Sequence, residues 1–434
     1  MLRKSKVILT FTLALLICAT SIISVLATNL NNNEAIIGSE DKPVQAAITK
    51  NLRLPMGTTV PKVNFNFVIT PKTVDGVEFN PTEPNMPRLG ALSGTPGIGT
   101  FTLSFSDTDE DPRTPIDDLV NVDSIMKETG NIFANVDFPH AGEFVYEITE
   151  EANTNSAIDA ESNKNEWLSY SKAKYTITLY VADTKDGKST YIYGLGARLT
   201  TKDDGEAVGD SESGKVDPTP GGYEDKYLFS QMIFANDYVK TNGPVDPENP
   251  DPMAESTLFV SKTVTGDFSN KLQLFDFKIS LTLPSLIPNP PNYYRAYLVD
   301  SNGRVDDSYI AVSTTGETEF RLRDGQRLVF VDTPVGTGYM VEEIGSANYS
   351  PSLTVTTGGE KIDYAEREMG ENFPSGPQLV GEPGNSAAFT NRRDTITPTG
   401  LNLNDLPFIG LIILGLGTLI TFFVVKVRKR ARNY

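Results

Sequence analysis

The stretch F-V-Y-E-I-T-E, residues 144–150, alternates apolar and polar side chains and ends on a glutamate. Successive side chains of a β-strand point to opposite faces, so Glu150 shares its face with Phe144, Tyr146 and Ile148. The pattern predicts a strand that carries a carboxyl group into an apolar core, where an unpaired charge is costly. Glu150 therefore needs a polar partner from another strand.

Two other predicted strands in the first half of the chain end on a polar residue that faces inward. The segment A-I-T-K, residues 47–50, puts Lys50 in phase with apolar neighbours, and I-F-A-N, residues 233–236, does the same for Asn236. Because all three polar groups point into a core, we expect Lys50, Glu150 and Asn236 to meet one another.

The second half of the chain repeats this arrangement in the same order. A lysine, a glutamate and an asparagine again share their faces with apolar residues, in the segments F-V-S-K (259–262), Y-M-V-E-E (339–343) and A-F-T-N (388–391), giving Lys262, Glu343 and Asn391. A single lysine in phase with apolar residues is more often a side chain that reaches back to solvent. The recurrence of all three residues favours a chemical role.

A buried lysine beside a buried carboxyl has a chemical consequence, because desolvation favours the neutral form of both groups. A neutral lysine is a nucleophile and can attack a side-chain amide carbon held next to it. A protonated Glu150 or Glu343 can hydrogen-bond the amide and shuttle protons. We therefore predict one intramolecular amide bond in each half, Lys50 to Asn236 and Lys262 to Asn391, with loss of ammonia and no turnover.

These motifs resemble the self-crosslinking pilin domains of Gram-positive bacteria, in particular the streptococcal T-antigen-like major pilins. The resemblance rests on V-S-K-T-V-T-G-D-F (260–268), G-T-G-Y-M-V-E-E (336–343) and A-F-T-N-R (388–392), and on A-G-E-F-V-Y-E-I-T-E (141–150) and F-A-N-D-Y (234–238) in the first half. It implies Lys–Asn isopeptide bonds promoted by the glutamates, inside immunoglobulin-like sandwiches of Cna B type. The longer segment between Glu150 and Asn236 implies insertions in the first domain.

The N-terminus predicts export. Residues 1–27 have basic residues, an apolar run and a small-residue site before Ala27, which is typical of a secretory signal peptide. The one cysteine, Cys18, lies within it, so the mature chain has none. A secreted protein that lacks disulfide bonds needs another way to resist unfolding, and an internal amide crosslink provides one.

The C-terminus predicts anchoring. An apolar run at 406–425 is long enough to span a bilayer, and five basic residues follow it. This order resembles a cell-wall sorting signal, in which a sortase cleaves between threonine and glycine. A plain single-pass anchor is the alternative. The motif departs from the usual L-P-x-T-G at its first two positions and reads Ile396, Thr397, Pro398, Thr399 and Gly400.

Strand patterns are clear at 63–69, 175–181 and 275–281, and no span has sustained helical periodicity before the C-terminal run. The predicted fold is all-β, with tandem immunoglobulin-like sandwich domains. A stretch rich in proline and turn-forming residues separates the domains. The predicted division is signal peptide 1–27, first domain 44–240, linker 241–254, second domain 255–393 and sorting signal 394–434.

Enzyme and nucleic-acid functions find little support. His140 is the only histidine, so a Ser-His-Asp triad and a histidine metal cluster lack their parts. The S-x-x-K match at 169–172 runs into a strand instead of a helix. Asp107, Asp109 and Asp111 have calcium-like spacing, but Pro112 stands where an EF-hand loop needs glycine. We predict no metal and no cofactor. The formal net charge of −18 argues against nucleic-acid binding.

The sequence thus predicts a sortase-assembled pilin or pilin-like wall protein that provides mechanical and adhesive scaffolding on the cell surface. Its predicted partners are a sortase, other pilin subunits, peptidoglycan and a host surface ligand. Lys226 is a candidate for the lysine that accepts the sortase linkage, although an ordinary exposed lysine is the alternative. A wall-anchored adhesin that does not polymerise and an anchored surface enzyme are the competing functions.

Overall fold

The structure of the protein, a computed structural model, describes residues 36–82, 85–87, 89, 101–109, 113–160, 165–209, 213–221, 229–241, 243, 251–253, 257–394 and 406–431. Several predicted features lie outside the described residues. They are the signal peptide, most of the linker, Lys226, Asp111 and the sorting motif at 396–400.

The first half of the described chain folds into thirteen strands and one short 3-10 helix at Asp107–Asp109. The strands are β1 (Ile36–Ile37), β2 (Thr49–Pro55), β3 (Val63–Val74), β4 (Val77–Glu78), β5 (Phe101–Phe105), β6 (Thr114–Pro115), β7 (Val122–Glu128), β8 (Gly142–Glu150), β9 (Glu166–Leu168), β10 (Lys174–Asp183), β11 (Thr190–Thr201), β12 (Lys215–Val216) and β13 (Ile233–Lys240).

These strands form two sheets that pack face to face around one apolar core. One sheet has the order β1-β11-β10-β8-β3-β4, with β12 beside β11 and β5 beside β3, and the other has the order β6-β7-β2-β13-β9. The alternation expected in β8 is present, since Phe144, Tyr146 and Ile148 are fully buried. The core of this sandwich lies between β8 of one sheet and β2 and β13 of the other.

The second half folds into twelve strands. They are β14 (Leu258–Thr265), β15 (Phe275–Thr282), β16 (Tyr293–Val299), β17 (Val305–Ser313), β18 (Thr318–Leu322), β19 (Arg327–Phe330), β20 (Gly338–Glu343), β21 (Ser350–Thr357), β22 (Glu360–Tyr364), β23 (Phe373–Pro374), β24 (Gln378–Leu379) and β25 (Ser386–Arg392).

These strands build a second sandwich with its own core. One sheet has the order β17-β16-β19-β14-β25-β21-β22, and the other has the order β18-β15-β20-β23, with β24 beside β20. The predicted all-β class is therefore confirmed. Four described strands separate the glutamate from the asparagine in each sandwich, β9–β12 in the first and β21–β24 in the second, so the extra length of the first sandwich lies in its long β10–β11 hairpin and its loops.

The lysine strand and the asparagine strand are adjacent and parallel in both sandwiches. In the first, β2 pairs with β13 so that Lys50 lies opposite Phe234. In the second, β14 pairs with β25 so that Lys262 lies opposite Phe389. Each asparagine is two residues beyond that partner, on the same face, so the same offset brings each lysine beside its asparagine.

The two sandwiches contact each other directly. An apolar cluster joins Val122 and Val239 of the first to Leu286 of the second. A carboxylate of the second sandwich, Glu382, accepts a hydrogen bond from the backbone N–H of Thr59 at 2.8 Å. These contacts combine apolar burial with directional bonds, which favours a fixed orientation of one sandwich on the other.

A C-terminal helix, α1, spans Leu406–Ala431. Its segment Pro407–Lys429 is long and apolar enough to cross a bilayer, with a mean hydropathy of 2.6. The helix includes the run at 406–425 that the sequence predicts as a membrane span.

Candidate crosslinking sites

The first site lies in the core of the first sandwich. Lys50 on β2 and Asn236 on β13 are both fully buried, in agreement with the strand phase. The Lys50 ammonium nitrogen lies 4.2 Å from the centre of the Phe65 ring. Phe65 is an inward residue of β3, so the facing sheet closes the site against water.

Glu150 joins the other two residues of this site. Lys50 Nζ donates a hydrogen bond to Glu150 Oε2 at 2.5 Å, and Asn236 Nδ2 donates one to Glu150 Oε1 at 2.5 Å. One carboxyl group therefore touches the amine that would attack and the amide nitrogen that would leave. This geometry suits a proton shuttle between the two nitrogens.

The second site has the same three residue types on the corresponding strands. Lys262 Nζ contacts Glu343 Oε1 at 2.8 Å and Oε2 at 2.9 Å, and Asn391 Nδ2 donates to Glu343 Oε1 at 2.5 Å. Phe275 lies over the lysine nitrogen at 4.4 Å, as Phe65 does in the first site. The glutamates also correspond, since Glu150 pairs across strands with Phe67 and Glu343 with Phe277.

Burial shifts the proton affinities of both lysines in the direction that the chemistry requires. Desolvation lowers the pKa of Lys50 from 10.5 to about 8, although the Glu150 carboxyl opposes the shift. Desolvation likewise lowers the pKa of Lys262 to about 8, against the influence of Glu343. A lower pKa gives each lysine a larger share of the neutral, nucleophilic amine.

The carboxyl groups shift in the complementary direction. Burial raises the pKa of Glu150 above its ordinary value, and the nearby lysine and asparagine only partly offset this. The same cause raises the pKa of Glu343. Moving a proton from the lysine to the glutamate turns a buried ion pair into two neutral groups, which costs less in an apolar core than it does in water.

Sequence reasoning missed the polar residues around the first site. Ser171 donates its backbone N–H to Asn236 Oδ1 at 2.8 Å, and its hydroxyl donates to Asp203 Oδ1. Asp203 also accepts the backbone N–H of Ala235 at 2.9 Å. Ser171 belongs to the S-x-x-K match at 169–172, and it contacts the site through its backbone N–H and its hydroxyl.

Several aromatic residues and the histidine lie outside the two sites. Trp167 on β9 packs with the apolar cluster between the sandwiches. Tyr294 is buried, whereas Tyr293 is exposed and stacks on Tyr309. His140 lies in an exposed bend, and its Nδ1 is 2.9 Å from the Ala141 carbonyl oxygen.

The acidic loop that contains Asp107 and Asp109 carries an ion pair. Lys127 contacts Asp109 at 2.7 Å, so this carboxylate has a cationic side chain as its partner. Within the described ranges, no group of three or more histidine, cysteine or acidic residues is arranged to hold a metal ion.

Comparison with known proteins finds two matching family models, one for each half of the chain. Residues 46–208 match the family described as the Spy0128-like isopeptide containing domain. Residues 256–374 match a family described as a domain of unknown function (DUF7601). The first match includes Lys50 and Glu150, and the second includes Lys262 and Glu343.

Similar proteins come from Streptococcus pyogenes. The chain is 22% identical over 429 residues to a pilin of serotype M1, an alignment that covers 95% of this chain and 98% of the pilin. It is 26% identical over 182 residues to the pilus tip adhesin Cpa, covering 40% of this chain but 22% of the adhesin. The solved structure of the S. pyogenes major pilin is 18% identical, covers 82% of this chain and all of that one, and has a TM-score of 0.30.

The two sandwiches with their repeated buried triads, together with these relatives, define a pilin-like surface protein. Residues 46–208 match the Spy0128-like isopeptide containing domain family, and the chain as a whole resembles the streptococcal T-antigen-like pilins.

Proposed function

We propose that the protein is a pilin subunit that a sortase joins to other copies of itself, and that each sandwich is locked by one Lys–Asn isopeptide bond. The bonds join Lys50 to Asn236 and Lys262 to Asn391. The observation that carries the proposal is the repeated contact of a buried lysine, glutamate and asparagine. In each sandwich the lysine and the asparagine lie on adjacent parallel strands of one sheet, and the glutamate lies on a strand of the facing sheet.

The reaction is a single transamidation in each domain. The neutral lysine Nζ attacks Cγ of the asparagine, the new C–N bond forms, and the bond from Cγ to Nδ2 breaks. Glutamate accepts a proton from Nζ and delivers a proton to the departing Nδ2, which leaves as ammonia. The glutamate ends with as many protons as it had at the start, so no cofactor or outside reactant is needed.

The crosslinks serve the mechanical function. Each bond ties the first core strand of a domain to its last, closing a loop from residue 50 to 236 or from 262 to 391. The chain-entropy model gives about 5 kcal/mol of stabilisation for a loop of this size. Tension that enters near one strand and leaves near the other passes through the covalent bond, so the intervening strands are not pulled apart.

The C-terminal features support covalent assembly. Helix α1 follows the motif Ile396 to Gly400 after a short spacer and ends in basic residues. In the proposed reaction, a sortase cleaves between Thr399 and Gly400 and transfers the threonine carbonyl to an amine of another subunit or of peptidoglycan. Lys226 is the proposed acceptor on the subunit. The similarity to a pilin over nearly the full length of both chains supports another pilin subunit as the partner.

The test of assembly is an immunoblot of cell-wall extracts from a sortase-bearing Gram-positive host that expresses the full chain. We expect a ladder of covalent multimers that disappears on deletion of the pilus sortase or in Thr399→Ala. Lys226→Arg, which retains the charge, should remove the ladder, whereas Lys215→Arg should not.

A protein that is attached to the wall only as a monomer in all these strains would contradict polymerisation. It would favour a wall-anchored adhesin, a function supported by the partial similarity to the tip adhesin Cpa.

A further inference from the structure

The carbonyl oxygen of Asn236 has a donor of its own. The backbone N–H of Ser171 lies 2.8 Å from Asn236 Oδ1, and both residues are buried. Asn236 Nδ2 points the other way and donates to Glu150. The amide is thus held at both ends, with its oxygen on a hydrogen-bond donor and its nitrogen on the carboxyl group.

The segment that provides this donor is fixed to the asparagine strand. Ser169 and Asp237 exchange two hydrogen bonds, since each accepts from the backbone N–H of the other at 2.8 Å, Asp237 through its carbonyl oxygen and Ser169 through its hydroxyl. Ser171, two residues after Ser169, is held by Asp203. This aspartate accepts hydrogen bonds from the Ser171 hydroxyl and from the Ala235 backbone N–H. The N–H of Ser171 is therefore positioned before any reaction begins.

The second site lacks this contact. Asn391 Oδ1 is buried, and no donor among the residues described reaches it. An aspartate whose charge acts on Lys262, Asp324, accepts the backbone N–H of Val264 at 2.6 Å and pairs with Lys271. The two sites thus share the lysine, the glutamate and the asparagine but differ at the carbonyl oxygen.

We propose that the Ser171 N–H is an oxyanion donor for the first crosslink, and that the Lys50–Asn236 bond consequently forms faster than the Lys262–Asn391 bond. This inference rests on the proposed isopeptide chemistry. When Lys50 Nζ attacks Cγ, the electron pair of the C=O bond moves to Oδ1, and Ser171 hydrogen-bonds the resulting negative charge. The charge returns to reform the carbonyl as Nδ2 leaves with a proton from Glu150.

The size of the effect follows from oxyanion holes in general. A preorganised donor at 2.7–3.1 Å from the developing oxyanion changes a rate by roughly 100- to 1,000-fold in enzymes. The Ser171 N–H lies 2.8 Å from Oδ1 of the unreacted amide, the atom on which this charge would develop. We expect a difference of at least about tenfold between the two bonds, because folding of either domain sets an upper limit on the observed rate.

The experiment follows both bonds in the same molecules. The full chain is made by cell-free translation, samples are quenched in acid at intervals, and the two crosslinked peptides are quantified by mass spectrometry after proteolysis. In the unmodified chain, the peptide joining Lys50 to Asn236 should appear first. Equal rates would overturn the inference, whereas failure of both crosslinked peptides to appear would overturn the proposed function itself.

A backbone substitution isolates the donor. Nonsense suppression with lactic acid at position 171 replaces the amide N–H by an ester oxygen, and Ser171→Ala is its matched control because it keeps the N–H. The ester should slow the first bond by at least about tenfold relative to Ser171→Ala and leave the second bond unchanged. Rates within twofold of each other would contradict the inference.

Folding of the ester variant is checked independently. Complete formation of the first bond at long times, or resistance of the first domain to limited proteolysis, shows that slowing is not caused by misfolding. If the ester variant is digested as an unfolded domain, the difference between the two rates in the unmodified chain decides the question.

Discussion

The two sandwiches place a buried lysine, glutamate and asparagine in the same register but surround them differently. In both, the lysine and asparagine strands are parallel neighbours and the asparagine lies two residues beyond the partner of the lysine. In the first, the backbone N–H of Ser171 donates to the asparagine carbonyl and Asp203 accepts the Ser171 hydroxyl, whereas in the second the carbonyl has no donor among the described residues.

We infer that the features common to both sites are the ones that the crosslink needs, and that the feature found in one site affects its rate. A buried amine, a carboxyl that bridges it to the amide, and an aromatic cover are common to both sites. Among the residues that the structure describes, a donor to the carbonyl is present in the first site and absent from the second. We therefore expect both bonds to form and their rates to differ.

The largest expected effect is on stability, and it tests whether the two crosslinks are equivalent once formed. Asn236→Ala or Asn391→Ala prevents one bond and should lower the free energy of unfolding of that domain by about 5 kcal/mol, because the unfolded chain is no longer closed into a loop. Urea unfolding, followed separately for each domain by hydrogen exchange, measures this loss. A loss confined to one of the two variants would show that the two domains use different means of stabilisation.

The next effect concerns Asp203, which acts through Ser171 and is a positioning residue. Asp203→Ala should slow the first bond by about tenfold, since it releases the segment that carries the oxyanion donor. Asp203→Asn keeps an oxygen acceptor for the Ser171 hydroxyl and the Ala235 N–H and should restore most of the rate. The time course of the two crosslinked peptides is the measurement.

The matched control for Asp203 is Asp324→Asn, which changes an aspartate of the second domain that accepts the backbone N–H of Val264 and pairs with Lys271. It should leave the first bond unchanged. Equal slowing of both bonds by Asp203→Ala would indicate a general loss of stability and contradict the positioning role.

The smallest expected effect is a pH dependence of stability, which tests the lowered lysine pKa that the two sites share. In Asn236→Ala and in Asn391→Ala, one lysine remains a free amine whose pKa in the folded state is lowered to about 8. The unfolded state then binds more protons between pH of about 8 and 10, so the stability of each variant should rise with pH in that window.

The expected rise is on the order of 1 kcal/mol relative to the crosslinked chain, in which that lysine is an amide. Urea unfolding at the two pH values measures it. A stability that falls over this window in either variant would contradict the lowered pKa of its lysine.

The strand patterns predict the fold class and which polar residues meet in each core, for a local reason. Alternation along a strand decides which side chains face the core, so Lys50, Glu150 and Asn236 were identified from segments of a few residues each. Their burial in the structure agrees with that phase. The repetition of the pattern in the second half also indicated two domains with one design.

Strand alternation does not predict which residues surround the first site. Ser171 contacts Asn236 through a backbone N–H, which every residue except proline carries. The residue type at position 171 therefore does not indicate this contact. Asp203 lies in a polar stretch of the sequence, and only the path of β11 brings it to the asparagine strand. The apolar cluster that joins the sandwiches likewise depends on their relative placement.

The most direct test of the account is the intact mass of purified residues 28–393, measured beside Glu150→Ala and Glu343→Ala. The account predicts that the unmodified protein is lighter than its sequence by two ammonias. Each variant should regain the mass of one ammonia, because each glutamate promotes only the bond in its own domain. A mass equal to that of the sequence would contradict the account, since the buried lysines and asparagines would then be in contact without reacting.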